Sequence, residues 1–420
     1  MSYSAMERVP VEIWHAILQE ACAPLTQDLV ERSVWEGVQT LESMRTHEYK
    51  PLRDDRRTKC SVILTCRAWA AISIPFLYDL IIVSARSRAE LLSELISILP
   101  RRIPFKPHSP SGDNRSTYGH LVKAVVADTF YGIIETDQML QLMNFCPNIR
   151  WIRSLRLYQR DDPKWSSLQS AFSGQHHLQA LQLYWEAEPQ PALEPLFGAS
   201  IPPAHLPSLK LLRTNLGSTV ERAEMLSTWE LPSLRHLAFI ATHLMPRVNA
   251  EMLSTFLVRH GLNLESLSIA CIPIYSDVLS ISALCPHLTQ LAVPGPWVLS
   301  ALVSGDPHLL LPYHPTLRSL AFTEYRLWCL GTWREEAERG KPALEAIRRT
   351  NFPRLQNVYA ESFTVYKKED GAQEKKPRLP RWWKNILEVW KEEDIRFLML
   401  GDQSQVTLDM VSKICVWVDG

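Results

Sequence analysis

Leu264-Glu265-Ser266-Leu267-Ser268-Ile269 and Leu288-Thr289-Gln290-Leu291-Ala292-Val293 are two copies of one six-residue word, apolar-x-x-apolar-x-apolar. Its last three positions alternate with the period of a strand that buries one face. The word occurs earlier as Leu121-x-x-Ala124-x-Val126, Ile152-x-x-Leu155-x-Leu157, Leu178-x-x-Leu181-x-Leu183, Leu209-x-x-Leu212-x-Thr214 and Leu234-x-x-Leu237-x-Phe239. It returns as Leu317-x-x-Leu320-x-Phe322, Leu355-x-x-Val358-x-Ala360 and Ile395-x-x-Leu398-x-Leu400. First positions stand 24 to 40 residues apart, about 30 on average, a period of repeat architectures. Helix-like stretches lie between the words, at 138–143, 251–258 and 277–284. Pro147, Pro207, Pro232, Pro286, Pro315 and Pro353 each precede a word by a few residues, where proline ends a helix and feeds extended chain into a strand. The pattern predicts an α/β chain, a βα solenoid with a parallel sheet. One such repeat cannot bury its own leucine face, whereas stacked neighbours share a continuous core.

The word and its spacing resemble those of irregular leucine-rich repeats. The family's usual Asn or Cys after the last leucine is missing here, with Arg160, Glu186, Gly217 and Thr242 in its place. What the resemblance implies is a concave sheet whose outward residues hold a partner. That set begins Ser154, Arg156, Tyr158, Gln182, Tyr184 and Arg213, and turns small at Ala238, Ser268, Ala292 and Ala321 before Tyr359. Arg156, Tyr158, Gln182, Tyr184 and Arg213 are the candidate target-binding residues, because Arg and Tyr are enriched at interfaces.

Ahead of the repeats stand Val9-Pro10-Val11-Glu12-Ile13-Trp14-His15-Ala16-Ile17-Leu18 and Val62-Ile63-Leu64-Thr65-Cys66-Arg67-Ala68-Trp69-Ala70-Ala71-Ile72. Pro10 suits a helix start and Glu12 complements the dipole of its first turn. Ile13, Ile17 and Ala21 repeat along one apolar face. The second segment also reads as a helix, one that Pro75 stops at Ile74. Two short apolar helices need the rest of the chain or a partner to cover them.

Pro-x-Glu-Ile-x-x-x-Ile-Leu, Cys-Arg-x-Trp and Pro-x-Leu-Tyr, in that order, resemble the F-box, in the F-box-like form common in fungal proteins. The resemblance implies docking onto the Skp-type adaptor of a cullin–RING ubiquitin ligase through Pro10, Ile13, Ile17, Leu18, Leu64, Cys66 and Trp69. The two words stand farther apart than is usual for the family. The reading is therefore an F-box-like domain over 1–80 with an insertion at about 24–60, which contains Arg53-Asp54-Asp55-Arg56-Arg57. A solenoid follows over 81–420. A capping helix, Trp382-Trp383-x-x-Ile386-Leu387-x-x-Trp390, and a strand near 411–418 end it, after a solvated insertion near 366–378.

Charge balance, 45 basic against 45 acidic side chains, removes the strongest argument for nucleic-acid or anionic-membrane partners. No apolar run is long enough to span a bilayer. The eight cysteines are scattered with no Cys-x-x-Cys pair, which predicts free thiols in a cytoplasmic or nuclear compartment. No phosphate-binding glycine loop or Gly-x-Ser-x-Gly elbow is present. His176-His177 lacks companion ligands, and Asp161-Asp162 and Glu335-Glu336 point their carboxylates apart. Accordingly no catalytic residue, cofactor or metal is expected. The reading is a substrate receptor of the ligase, not itself an enzyme. Its alternatives are a repeat scaffold not engaged with the ligase, or a small-molecule sensor.

Overall fold

The computed structural model describes residues 10–21, 49–83, 89–103, 117–127, 136–157, 165–185, 203–214, 226–239, 247–269, 272–274, 281–293, 313–326, 341–362, 378–399 and 416–418. Its helices are α1 (Val11–Ala21), α2 (Tyr49–Thr65), α3 (Arg67–Leu77), α4 (Ala89–Ile98), α5 (Thr136–Phe145), α6 (Trp165–Ser173), α7 (Ala250–His260), the single turn α8 (Ile281–Leu284) and α9 (Arg381–Glu392). The strands are β1 (Leu80–Val83), β2 (Ala124–Ala127), β3 (Trp151–Leu157), β4 (Ala180–Trp185), β5 (Leu211–Thr214), β6 (His236–Phe239), β7 (Arg247–Asn249) and β8 (Ser266–Ile269). They continue with β9 (Ile272–Ile274), β10 (Gln290–Val293), β11 (Ser319–Arg326), β12 (Asn357–Ser362), β13 (Arg378–Pro380), β14 (Arg396–Met399) and β15 (Val416–Val418).

Eleven strands form an open parallel sheet in the order β1-β2-β3-β4-β5-β6-β8-β10-β11-β12-β14. That is sequence order, as a βα solenoid requires. Each of the ten words supplies one strand, and Leu80–Val83 adds the first. By compactness the chain divides into two units. One holds Leu41–Leu212 and Trp229–Ser233 with the N-terminal helix, the other Arg213–Thr228 and Leu234–Gly420.

A turn before most strands of the main sheet is the physical unit of the repeat. The Leu178 amide bonds back to the Gln175 carbonyl at 3.1 Å, Leu209 to Leu206 at 3.2 Å, Leu288 to Cys285 at 3.1 Å and Leu355 to Phe352 at 3.0 Å. Proline often holds the second position of this turn, at Pro147, Pro207, Pro286 and Pro353. Its fixed φ suits that corner and it needs no N–H there. The first position faces inward, which explains why Cys146 and Cys285 are wholly buried. Burial pushes both thiols up to about 12, so they are inert packing groups.

Successive coils are then joined by a shared rung. One carbonyl accepts two amides of the next coil. In the first unit Asp79 takes those of Lys123 and Ala124 at 2.8 and 2.9 Å, Lys123 those of Arg150 and Trp151, Arg150 those of Gln179 and Ala180, and Gln179 those of Lys210 and Leu211. In the second, Arg235 takes Glu265 and Ser266, Glu265 takes Thr289 and Gln290, Thr289 takes Arg318 and Ser319, and Arg318 takes Gln356 and Asn357. Polar side chains also join one coil to the next. Gln175 Nε2 donates to the Met143 carbonyl at 2.8 Å, His314 Nε2 to that of Cys285 at 3.2 Å, and the Thr316 hydroxyl to that of Leu288 at 2.8 Å.

The structure shifts the phase of three words. Ile152 pairs with Leu181, and Val125 with Ile152. Ile149 is therefore the first apolar position of its turn and Val122 that of the coil before. Sequence alone could not see this, because β3 shifts register between Ile152 and Leu155 and so offers two apolar phases. At the far end Phe397, not Leu398, pairs with Val358. Strand β15 pairs with β13 in a separate two-stranded sheet rather than closing the main one. Residues 104–116, 363–377 and 411–415 lie outside the described residues.

Helix α9 packs its aromatic stripe on β14. Trp383 and Trp390 lie 5.9 and 5.7 Å from the Phe397 ring, and Trp390 Nε1 donates to the Ile347 carbonyl at 2.9 Å. Asp394, with φ 55°, ends the helix, and the Ile395 amide reaches back to the Trp390 carbonyl at 2.7 Å.

Two consequences can be measured. Gly261 sits where an added Cβ would overlap the Leu284 carbonyl oxygen. Gly261→Ala should therefore lower stability by about 1–3 kcal/mol in urea unfolding. His260 is held neutral, its pKa lowered to about 4 by burial, with Arg259 adding to the effect and a bond to Ser227 opposing it. His314 is lowered by burial as well. The unfolded chain thus binds more protons than the folded one, and stability, whole above pH 6.5, should fall as pH drops toward 4. Urea midpoints across that window should decline, and more shallowly in His260→Gln.

Candidate functional site

Among the described residues the segment before the sheet holds three helices of the first unit, with α1 and α2 both packed against α3. Pro10 is exposed and its carbonyl accepts the Ile13 and Trp14 amides at 3.0 and 3.2 Å, which starts α1 one residue later than a proline inside the first turn would. Ile13 and Ile17, one turn apart on α1, are each 49% exposed, whereas Leu18 is buried. Trp69 is half-buried, and its ring stands 5.3 Å from that of Trp14. Trp14 thus joins α1 to α3, a role that its place beside Ile13 and Ile17 did not reveal.

The second segment is not one helix. Thr65 ends α2, with its hydroxyl turned back to the Ser61 carbonyl at 3.0 Å. Cys66 then adopts extended backbone, φ −164° and ψ 166°, and its thiol accepts the Trp69 amide at 3.5 Å as the N-cap of α3. Nor does Pro75 stop the chain at Ile74. Helix α3 runs through it to Leu77, closed by the Tyr78 amide on the Ile74 carbonyl at 3.3 Å. Proline so near a helix end removes only one internal bond. The break at Cys66 swings Leu64 to the end of α2, where it is 83% exposed.

The charged run Arg53-Asp54-Asp55-Arg56-Arg57, expected within an insertion, belongs to α2. Residues 22–48 lie outside the described residues. Helix α2 also holds Lys59, buried, with Nζ 3.0 Å from Asp79 Oδ1, itself buried. The carbonyl of the same Asp79 is the first rung of the sheet. One residue therefore ties the helical module to the first coil.

The expected target-binding set fares differently. Arg156 pairs with Tyr184 across β3 and β4, while Tyr158 lies outside the described residues. Gln182 and Arg213 are only 3% and 5% exposed and are engaged by neighbouring groups. These two are not surface residues. Outward positions elsewhere are filled as well, for Tyr359 packs over Ala321 and Ala292, where alanine leaves room for its ring. Period-2 alternation reports the side of a strand and not what covers it.

Among the described residues no group of three or more His, Cys, Asp or Glu could hold a metal ion, and no helix is long and apolar enough to cross a membrane. Replacing Cys66 by Ala removes the α3 cap and should cost about 1 kcal/mol in thermal or urea unfolding, while Cys66→Ser should restore most of it.

No protein-family model matches this chain, and no curated protein matches its sequence. In structural comparison it is similar to a chain in the crystal structure of the Rad7 and Elc1 complex in yeast, at 11% identity, covering 89% of this chain and 97% of that one, with a TM-score of 0.25. A TM-score of that size carries no argument, and the functional reading stands on the residues alone.

Proposed function

We propose that this chain is a substrate receptor of a cullin–RING ubiquitin ligase, with its N-terminal helices docked on a Skp-type adaptor and its solenoid holding a target protein. The observation that carries the reading is the exposure of Ile13, Ile17 and Leu64 at motif positions, on helices where Leu18 is buried and Trp14, Val62 and Ile63 are partly covered. Large aliphatic side chains left in water on a folded module favour a partner that removes them from it. Leu18, Cys66 and Trp69 have a different part in this scheme. They set the angle between α1, α2 and α3, so that Pro10, Ile13, Ile17 and Leu64 form the contact. The chain itself makes and breaks no bond. It raises the effective concentration of a target lysine beside a ubiquitin-charged enzyme.

The wild-type chain, co-expressed with a Skp-type adaptor, should elute with it as a stoichiometric complex in size-exclusion chromatography. Ile13→Asp/Ile17→Asp/Leu64→Asp should weaken that complex by about a hundredfold or more, because an unpaired carboxylate is costly in an apolar contact. These side chains are exposed, so thermal unfolding of the variant should stay near wild type. If the wild-type chain forms no complex at micromolar concentration, the receptor reading gives way to that of a free scaffold.

A further inference from the structure

The residues that build the rungs also set their side chains in a column at the start of successive strands. In the first unit that column reads Lys123, Arg150, Gln179 and Lys210, with Lys123, Arg150 and Lys210 exposed and Gln179 half-buried. Neighbouring parallel strands lie about 4.8 Å apart, so the column is about 15 Å long. Each member is fixed through its own backbone, since its carbonyl or amide belongs to the rung. Like charges stacked on adjacent strands repel, and this costs stability unless something opposite answers them. The carboxylate of Asp79, the rung residue before Lys123, pairs with Lys59 instead, and among the described residues no ion pair joins Lys123, Arg150 or Lys210 to a carboxylate.

The second unit shows how the repeat can neutralise the same column. There Arg235 is followed one coil later by Glu265, and the two pair at 3.5 Å. Among the described residues of the first unit the one acid at this height, Asp79, is buried and committed to Lys59, although the whole chain is neutral. Its cations are thus a local feature and not the overflow of a basic protein.

We propose that this column, Lys123, Arg150 and Lys210 with Gln179 as a neutral hydrogen-bonding member, binds an extended acidic peptide segment of a partner protein. Carboxylates spaced along an extended chain meet a row of cations whose backbones are held in register. Gln179 offers an amide between them. An overall charge of zero disfavours a nucleic acid, whose binding calls for a broad basic field. The surface is independent of the apolar docking helices, and either proposal can fail without the other.

The test uses the full chain and a fluorescein-labelled peptide of alternating Glu and Ser, followed by fluorescence anisotropy. Saturable binding that weakens with added salt is expected. Lys123→Glu/Arg150→Glu/Lys210→Glu should bind about tenfold more weakly or worse, each exposed ion pair alone being worth less than that. The triple Gln variant, which adds no new repulsion, should weaken binding in the same sense if the Glu variant does not fold. Arg318→Glu, at the equivalent place in the second unit, should leave affinity unchanged. Absence of saturable binding would overturn the proposal, as would equal losses in Arg318→Glu. Tighter binding of a single-stranded oligonucleotide of the same charge would likewise sink the peptide assignment.

Discussion

A carbonyl that accepts two amides from the next coil is the constraint on which this structure depends. Parallel strands need a long crossover between them, and each crossover must return the chain to the same height on the sheet. The rung at Asp79, Lys123, Arg150 and Gln179, and again from Arg235 to Arg318, defines that height. The turn before it aims the chain. With both in place Leu181, Leu267, Leu291 and Leu320 fall into a buried column, and all are almost wholly removed from water. Burial of such a side chain contributes about 1.5–3 kcal/mol, but only if register is kept. A slip of one residue would turn every leucine to the other face. Hydrophobic burial supplies the energy here, and the rung supplies the register.

The same constraint shapes what the surface offers. Where the rung residue is basic, as at Lys123, Arg150 and, past Gln179, Lys210, its backbone is held in register with the neighbouring coils, so the side chains start from one line. Lys123, Arg150 and Lys210 therefore act as a preset row. At Asp79 the constraint meets the helical module, since the residue whose carbonyl opens the ladder also pairs its carboxylate with Lys59 of α2. A buried pair of this kind is a poor source of net stability but a costly one to break, about 3–5 kcal/mol when one partner is removed. Its effect is to specify where α2 sits on the first coil, and through α2 where Leu64 is presented.

Much of this was legible in the residues. The leucine words located ten strands of the sheet, and the prolines marked the turns before several of them. Three words were read out of phase because Ile149, Ile152 and Leu155 offer two apolar registers, and likewise Phe397 beside Leu398. Hydrophobic pattern cannot choose between such phases, whereas pairing with the neighbouring strand can. The helix break at Cys66 was missed because Val62–Ile72 keeps helical apolar spacing across it. A thiol that caps an amide leaves no trace in that spacing. The role of Asp79 was missed for a similar reason, since a lone acid before a strand looks like a simple boundary.

By itself the sequence determined the class of architecture, the alternation of strand, helix and proline-led turn, and the apolar positions that would have to be buried. These are local matters, decided by side-chain period and backbone preference. Only the tertiary structure decided which outward residues remain in water: Gln182 and Arg213 are covered, Ile13, Ile17 and Leu64 are not, and Lys123, Arg150 and Lys210 stand together. Exposure and adjacency depend on residues far apart in the chain, and no stretch of sequence contains them.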